Sequence, residues 1–382
     1  MPPAVVSTKV QAESGKARLS GDDQMTPLAP FTRASVEHTE PMSDTTVGLI
    51  AAASQALAPI DVPAFGFLRG VYVLVEATGG TGAVAVAKED APWSYLNSVQ
   101  LADVNGAPLV GPIDGFDLQM INLVGGYQRV DPVTSPAFGA VAATGNFSFL
   151  LYVPVEIGAR DAIGALPNQN SAQTLKLSLT VGGLANVYST NPTTAPSVRV
   201  RCWADCWAVP ESVDLLGNPQ AQMPPASGTT QFWTKTVAPI VSGANTVRLP
   251  RVGNLIRSLV FIFRTTTPAR STTNFADPLV INWDGRNLIN EGRLITQCKA
   301  YQKAPAALQS TGADASTTGS RTGVFVVPFN YDLDGKYGNE MRDLWLPTNQ
   351  GTRLELQGNF GAAGTLAILT NDVAPYGDIH IS

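Results

Sequence analysis

A pair of acidic residues, Asp114 and Asp117, is the first place in this sequence where residue types and spacing suggest catalysis. Glycosidases use two carboxylates, one as a proton donor and the other as a nucleophile or base. Acidic pairs at this spacing are also common in ordinary loops, and nothing else in the sequence supports a sugar-cleaving site. We therefore interpret the pair as structural and predict no catalytic residue.

A second acidic group, Asp332 and Asp334 followed by Asn339 and Glu340, crowds oxygen atoms of the kind that calcium prefers. The spacing does not match an EF-hand loop, and Asp334 precedes a glycine, as in many tight turns. We favour a plain Asp-Gly turn over a structural ion, and we predict no metal site.

Other enzyme signatures are missing from the sequence. The two histidines, His38 and His380, lie near opposite ends of the chain, which argues against a Ser-His-Asp triad or a histidine-rich metal site. The glycine-rich stretch at 79–82 lacks the lysine and the following helix of a phosphate-binding loop. We predict a chain that is not an enzyme and has no cofactor.

Cys202 and Cys206 lie in a segment that alternates like a β-strand, four residues apart on one face. At about 3.3 Å per residue their Cα atoms are roughly 13 Å apart, which is too far for a disulfide. We interpret both as small buried hydrophobic residues. The neighbouring Trp203 and Trp207 share the other face, where they are expected to pack under a loop or against a partner.

The sequence contains an internal repeat, and each copy of it carries the same series of apolar segments and turn residues. Each copy has an arginine, Arg69 or Arg257, in the same place and an apolar run after it. Turn residues then follow in the same order. The matched pieces are Phe67–Ala77 with Leu255–Thr265, Val99–Leu109 with Val280–Ile289, Val153-Pro154 with Val327-Pro328, Arg160-Asp161 with Arg342-Asp343, and Leu166-Pro167 with Leu346-Pro347. A repeat of this length indicates a duplicated domain rather than a solenoid. The Arg-Asp pairs are expected to fix the turn before each Leu-Pro.

Short apolar runs broken by glycine and proline predict many short strands, as in a sandwich or barrel. In the first copy we predict strands at 67–76, 94–103, 117–123, 146–154, 173–181 and 198–210, and a short helix within 157–166. In the second copy we predict strands at 231–235, 246–250, 255–265, 279–283, 288–301, 322–329, 352–359 and 365–370. Residues 46–60 fit either a loose helix or a strand with a linker.

The predicted division is a polar N-terminal arm at 1–45, a first domain at 46–210, a linker at 211–230 and a second domain at 231–382. Only 14% of the 382 residues are charged, against about a quarter in typical soluble domains. Surfaces that face permanent neighbours are depleted of charge, so this composition is typical of an assembled protein. It is also typical of an extracellular β-protein with many polar, uncharged loops. The net charge of −5 argues against a nucleic-acid-binding domain. The start of the chain lacks the apolar core of a secretory signal.

Two tandem β-domains, a polar arm, long inserted loops and no active-site signature resemble a double jelly-roll major capsid protein of the tectivirus, corticovirus and adenovirus hexon lineage. The resemblance covers about residues 46–382. It implies an all-β fold of two tandem jelly-roll sandwiches and a structural role in the virion. Trimers of pseudo-hexameric outline would tile an icosahedral shell after synthesis in the host cytoplasm.

The implied partners are the chain itself in a homotrimer, neighbouring trimers, and penton and minor capsid proteins. The arm is expected to reach neighbours or an internal membrane, and no sequence-specific nucleic acid is expected. The alternative is a tandem β-sandwich that binds a receptor or carbohydrate, as in a phage spike or an adhesin. A β-sandwich hydrolase is a weaker alternative, because the sequence has only two histidines, near opposite ends of the chain, and no carboxylate pair supported by its context.

Overall fold

The structure, a computed structural model, describes residues 31–128, 135–158, 162–211, 213, 230–267, 269–303, 322–329 and 344–374. These residues form two β-sandwiches that follow each other along the chain. The repeated Arg-Asp pairs, the acidic group at 332–340, His380, residues 1–30 of the predicted arm and nearly all of the predicted linker lie outside the described residues.

The first sandwich contains two sheets, with strand orders β1-β12-β4-β8 and β2-β10-β6-β7. The short strand β3 pairs with β10, β9 pairs with β4, and β5 pairs with β11. The strands are β1 Glu37–Leu49, β2 Gln55–Ala56, β3 Ile60–Asp61, β4 Phe67–Thr78, β5 Val86–Ala87, β6 Leu96–Ala102, β7 Pro108–Ile113, β8 Phe147–Pro154, β9 Leu166–Pro167, β10 Lys176–Val181, β11 Tyr188–Thr190 and β12 Ser197–Trp207. The helices are α1 Phe31–Ala34, a 3-10 turn at Trp93–Tyr95, α2 Gly115–Val124 and α3 Leu184–Val187.

The second sandwich repeats this arrangement, with strand orders β13-β21-β15-β18 and β14-β20-β16-β17. The short strand β19 pairs with β15, as β9 pairs with β4. The elements are β13 Gln231–Ile240, β14 Gly243–Arg248, β15 Leu255–Thr265, β16 Leu279–Trp283, β17 Arg286–Glu291, α4 Arg293–Lys303, β18 Val324–Pro328, β19 Leu346–Pro347, β20 Leu354–Phe360 and β21 Gly364–Val373. Two four-stranded sheets in this order make each sandwich a jelly roll.

The pairing registers confirm the duplication residue by residue. Pro154 on β8 faces Gly70, and Pro328 on β18 faces Ser258. The ladder between β12 and β4 skips one residue, Arg69, and the ladder between β21 and β15 skips Arg257 in the same place. A bulge kept at the same residue in both copies fixes the correspondence between the two sandwiches.

Most predicted strands are confirmed, but two segments were assigned wrongly. Residues 117–123 were predicted as a strand and lie in helix α2, and the strand predicted at 288–301 divides into β17 and helix α4. The described part of 157–166 forms a bridge and the start of β9 rather than a helix. Strand β1 begins at Glu37 and pairs with β12, within the segment that the sequence predicted as the arm.

The two sandwiches meet edge to edge. Val110 on β7 pairs with Trp233 on β13, so a sheet of the first jelly roll continues into a sheet of the second. The large hydrophobic core of the first sandwich extends across this boundary, while a separate core fills the second sandwich. The junction between the sandwiches is therefore part of the packed interior.

Candidate functional site: the junction between the sandwiches

Strand β15 is covered on both faces. Leu259, Phe261 and Phe263 point into the core of the second sandwich, while Val260 and Ile262 belong to the cluster that the first sandwich contributes. Because successive side chains point to opposite faces, a strand buried on both sides carries a continuous apolar run. The sequence of β15 has this run.

Helix α2 lies between the sandwiches. All ten of its residues are buried, and Asp114 caps its N-terminus by accepting a hydrogen bond from the Asp117 backbone N–H at 2.8 Å. Three of the buried residues, Asp117, Gln119 and Asn122, are polar. The buried apolar side chains of α2 share one cluster with seven apolar residues on the outward face of the second sandwich: Trp233, Val260, Ile262, Val324, Val326, Ala367 and Leu369.

The acidic pair at the start of α2 binds a lysine of the second sandwich. Lys235 Nζ lies 2.9 Å from Asp114 Oδ2 and also contacts Asp117. Burial and the neighbouring Asp114 charge raise the pKa of Asp117 to about 7. Burial opposes the ionisation of Asp114 too, but the Lys235 ammonium holds the pKa of that carboxyl below its usual value. The two aspartates and Lys235 thus form a salt-bridge cluster that links the first sandwich to the second.

Two arginines of the second sandwich complete the junction. Arg264 contacts Asp90 at 3.0 Å, and Arg270 Nε lies 2.8 Å from the other oxygen of the same carboxylate. Both guanidinium groups lie over the ring of Phe116 on α2, at 5.5 and 4.4 Å from its centroid. Hydrogen-bonded charge and a cation-π contact together position α2 against the second sandwich.

A separate buried ion cluster occupies the end of the first sandwich. Arg69 donates to Glu156 at 2.9 Å and to Asp205 at 3.3 Å, and its guanidinium lies 4.3 Å from the ring centre of Trp207. Trp207 Nε1 donates to the other oxygen of Glu156 at 2.6 Å. Burial raises the pKa values of Glu156 and Asp205, and Arg69 opposes the rise. We interpret this cluster as structural, because each of its buried charged groups is hydrogen-bonded to a partner.

The other residues singled out in the sequence lie apart from the junction. Cys202 and Cys206 are free and buried, as predicted, and burial raises their pKa values to about 11 and 12. His38 is exposed and lies 2.8 Å from Glu40. Gly80, in the glycine-rich stretch, donates its N–H to Asn146. Within the described ranges, no cluster of histidine, cysteine and acidic side chains has the arrangement of a metal site.

Sequence reasoning found Asp114 and Asp117 and interpreted the pair as structural, but it placed Asp117 at the start of a strand and did not connect the pair to Lys235. The signal for a capped helix was Asp114 three residues before Asp117 at the start of an apolar segment. Among the described helices, none combines the length and apolar character needed to cross a lipid bilayer.

No known family model matches the chain, and no curated protein sequence matches it. Solved structures do match. The major capsid protein of Sulfolobus Turreted Icosahedral Virus superposes with a TM-score of 0.61 at 15% identity, over 91% of this chain and 99% of that one.

Two further viral proteins have the same arrangement. The major capsid protein P2 of bacteriophage PM2 has a TM-score of 0.52 at 11% identity, over 90% of this chain and 99% of that one. A chain of the PBCV-1 virus capsid has a TM-score of 0.56 at 13% identity, over 89% and 93%. At these identities the likeness concerns the fold: this chain has the double jelly-roll fold of viral major capsid proteins.

Proposed function

We propose that the protein is the major capsid protein of a tailless icosahedral virus and that its role in the virion shell is structural rather than enzymatic. The observation that carries the proposal is the pair of jelly rolls fused edge to edge. Both have the same strand order, and a match to viral capsid proteins extends over about nine-tenths of the chain.

The building block that we propose is a homotrimer. Each chain supplies two similar sandwiches, so three chains give six similar positions and a pseudo-hexameric outline that tiles a shell. The low charged fraction, 14% of residues, supports extensive contacts between subunits. We propose that pentons and minor capsid proteins complete the shell.

The division predicted from the sequence, with an arm at 1–45, jelly rolls at 46–210 and 231–382 and a linker at 211–230, remains a proposal with one adjustment at the end of the arm. Because β1 begins at Glu37, we place the functional end of the arm before that residue. In the proposed shell the arm reaches neighbouring subunits or an internal membrane. If particles still assemble normally after residues 1–30 are deleted, the arm does not have this role.

The test of the proposed function is the mass of the purified protein by light scattering, with negative-stain microscopy of the same sample. We expect about 120 kDa, three times the 40.2 kDa of one chain, and particles of hexagonal outline. A monomer that binds glycans in a screen would instead support a receptor- or carbohydrate-binding protein.

A further inference from the structure

Helix α4 holds the same place in the second sandwich that α2 holds in the first. Each helix begins two residues after the end of its preceding strand, β7 or β17, and those strands pair with equivalent neighbours, β6 and β16. Phe116 therefore corresponds to Leu294, and Asp117 to Ile295. Phe116 is 1% exposed, whereas Leu294 is 70% and Ile295 53% exposed. At these two positions the second helix exposes side chains whose counterparts on the first helix are buried.

The surface that α2 covers also has an open counterpart. The outward face of β1-β12-β4-β8 corresponds by register to the buried outward face of β13-β21-β15-β18. It is rich in apolar and aromatic side chains, all only half-buried: Tyr72, Leu74, Leu150, Tyr152 and Trp203. Their buried counterparts are, in the same order, Val260, Ile262, Val324, Val326 and Leu369.

The ion pair that Lys235 makes has no counterpart on the two open surfaces, and the charges that the open sheet face does carry, Glu76 and Arg201, pair with each other. Lys235 faces Leu369 on the neighbouring strand, and the residue in the corresponding place of the first sandwich is Pro41, which faces Trp203. The acidic partners of Lys235 correspond to Gly292 and Ile295. An ion pair inside the chain is thus replaced on both open surfaces by uncharged residues, as expected if those surfaces meet each other.

The edge strands next to these two surfaces are also open. Within the described residues β7 is paired with β13, whereas its counterpart β17 lies at the edge of its sheet, and so does β1, the counterpart of β13. Both open edges carry mostly exposed residues. Edge strands without a neighbour are the usual places at which another chain is accepted.

We infer that helix α4 of one subunit packs on the outward face of β1-β12-β4-β8 of a second copy of this chain. The contact repeats between subunits the one that α2 makes within each subunit. It joins two different surfaces, so it is head-to-tail, and it closes into a ring when the rotation per sandwich is one-sixth of a turn. The inference rests on the proposed trimer and specifies its contact surface.

A native thiol reports on this contact. Cys298, on α4, is exposed in the subunit, while the chain's other two cysteines are buried. Its counterpart on α2 is Met120, which is fully buried. We expect the reaction of Cys298 with a thiol reagent such as DTNB to be slower in the assembled trimer than in diluted monomer, by about tenfold or more. Equal rates in a verified trimer would overturn the inference.

Substitution provides the second test. Leu294→Asp is expected to lower the mass in light scattering from about 120 kDa to that of the monomer, with unchanged circular dichroism. The matched control is Val241→Asp, at a residue that is 63% exposed in the turn after β13 and outside the inferred contact. The control is expected to remain trimeric.

The outcomes separate the contact from the function. A wild-type trimer that persists in Leu294→Asp, with Cys298 still reactive, overturns the contact and leaves the proposed function standing. A wild-type chain that stays monomeric at all accessible concentrations counts against both.

Discussion

Strands β4 and β15 occupy the same position in two copies of one sandwich, yet β15 is covered on both faces and β4 on one. In β4 buried valines alternate with half-buried Tyr72, Leu74 and Glu76, whereas β15 is buried from Leu255 to Phe263. The core side is conserved in character between the copies, and the outward side differs. The residue types at the outward positions of a strand thus indicate whether that face of the jelly roll is covered.

The helices show the same difference more sharply. Helix α2 is buried completely, and the equivalent part of α4 leaves Leu294 and Ile295 exposed. One copy of the contact is made within the chain, and the other has both its surfaces open. Substitutions at paired positions should therefore act on subunit stability in one copy and on assembly in the other.

The largest difference is expected for Phe116→Ala against Leu294→Ala. Removing the buried ring leaves a cavity and deprives two arginines of their cation-π contact, so we expect a loss of about 3–5 kcal/mol in the free energy of unfolding. Leu294→Ala is expected to change subunit stability by less than about 0.5 kcal/mol. Denaturant unfolding, at concentrations where light scattering shows a monomer, measures both. Equal losses would mean that the two helices are equally buried in the subunit.

A smaller effect is expected for Lys235→Met, which leaves the buried Asp117 and the half-buried Asp114 without their lysine partner. Breaking a buried pair costs about 3–5 kcal/mol, and because the lysine side chain is 19% exposed we expect about 2–3 kcal/mol. Lys299→Met on α4 is the control, since that lysine is 55% exposed and pairs with Glu291. Its unfolding curve should match the wild type. A large shift in the control would contradict the contrast between the helices.

The contribution of Asp117 to the pH dependence of stability can be measured by comparing the wild type with Asp117→Asn. The pKa of Asp117 is about 7 in the folded protein and about 3.9 in an unfolded chain. Between these values the folded protein binds more protons than the unfolded one, so stability falls as pH rises from about 4 to 7, by at most about 1.4 kcal/mol per pH unit from this group. Asp117→Asn should flatten the fall. Thermal unfolding of both proteins at pH 5, 6, 7 and 8 measures it, and parallel curves would show that Asp117 ionises normally.

Much of the fold was predictable because the chain keeps the same turn residues in both copies. Pro154 and Pro328, and likewise Pro167 and Pro347, take equivalent places in the ladders, as their repetition in the sequence indicated. Helix α2 was missed because a short apolar run fits a strand or a buried helix equally well. Its length and its capping aspartate favoured a helix.

The junction could not be predicted, because its contacts depend on how the two sandwiches lie against each other. Lys235 is 118 residues from Asp117 in the sequence, and no local pattern links them. One signal was nevertheless present. The run from Leu259 to Phe263 is apolar at every position, while its first-copy counterpart includes a tyrosine among the valines, and a strand apolar at every position is one buried on both faces.

The smallest effect on the subunit, and the sharpest use of the comparison, is expected from moving the junction's ion pair to the open surfaces. Pro41→Lys and Ile295→Asp place a cation and an anion where the register puts the counterparts of Lys235 and Asp117. Both positions are exposed, so each substitution should change subunit unfolding by less than about 0.5 kcal/mol. In the trimer each single variant buries an unpaired charge and should weaken assembly, whereas the double variant should recover part of it. Sedimentation of all four proteins gives the coupling between the two sites; purely additive losses would mean that Pro41 and Ile295 do not meet across the subunit contact.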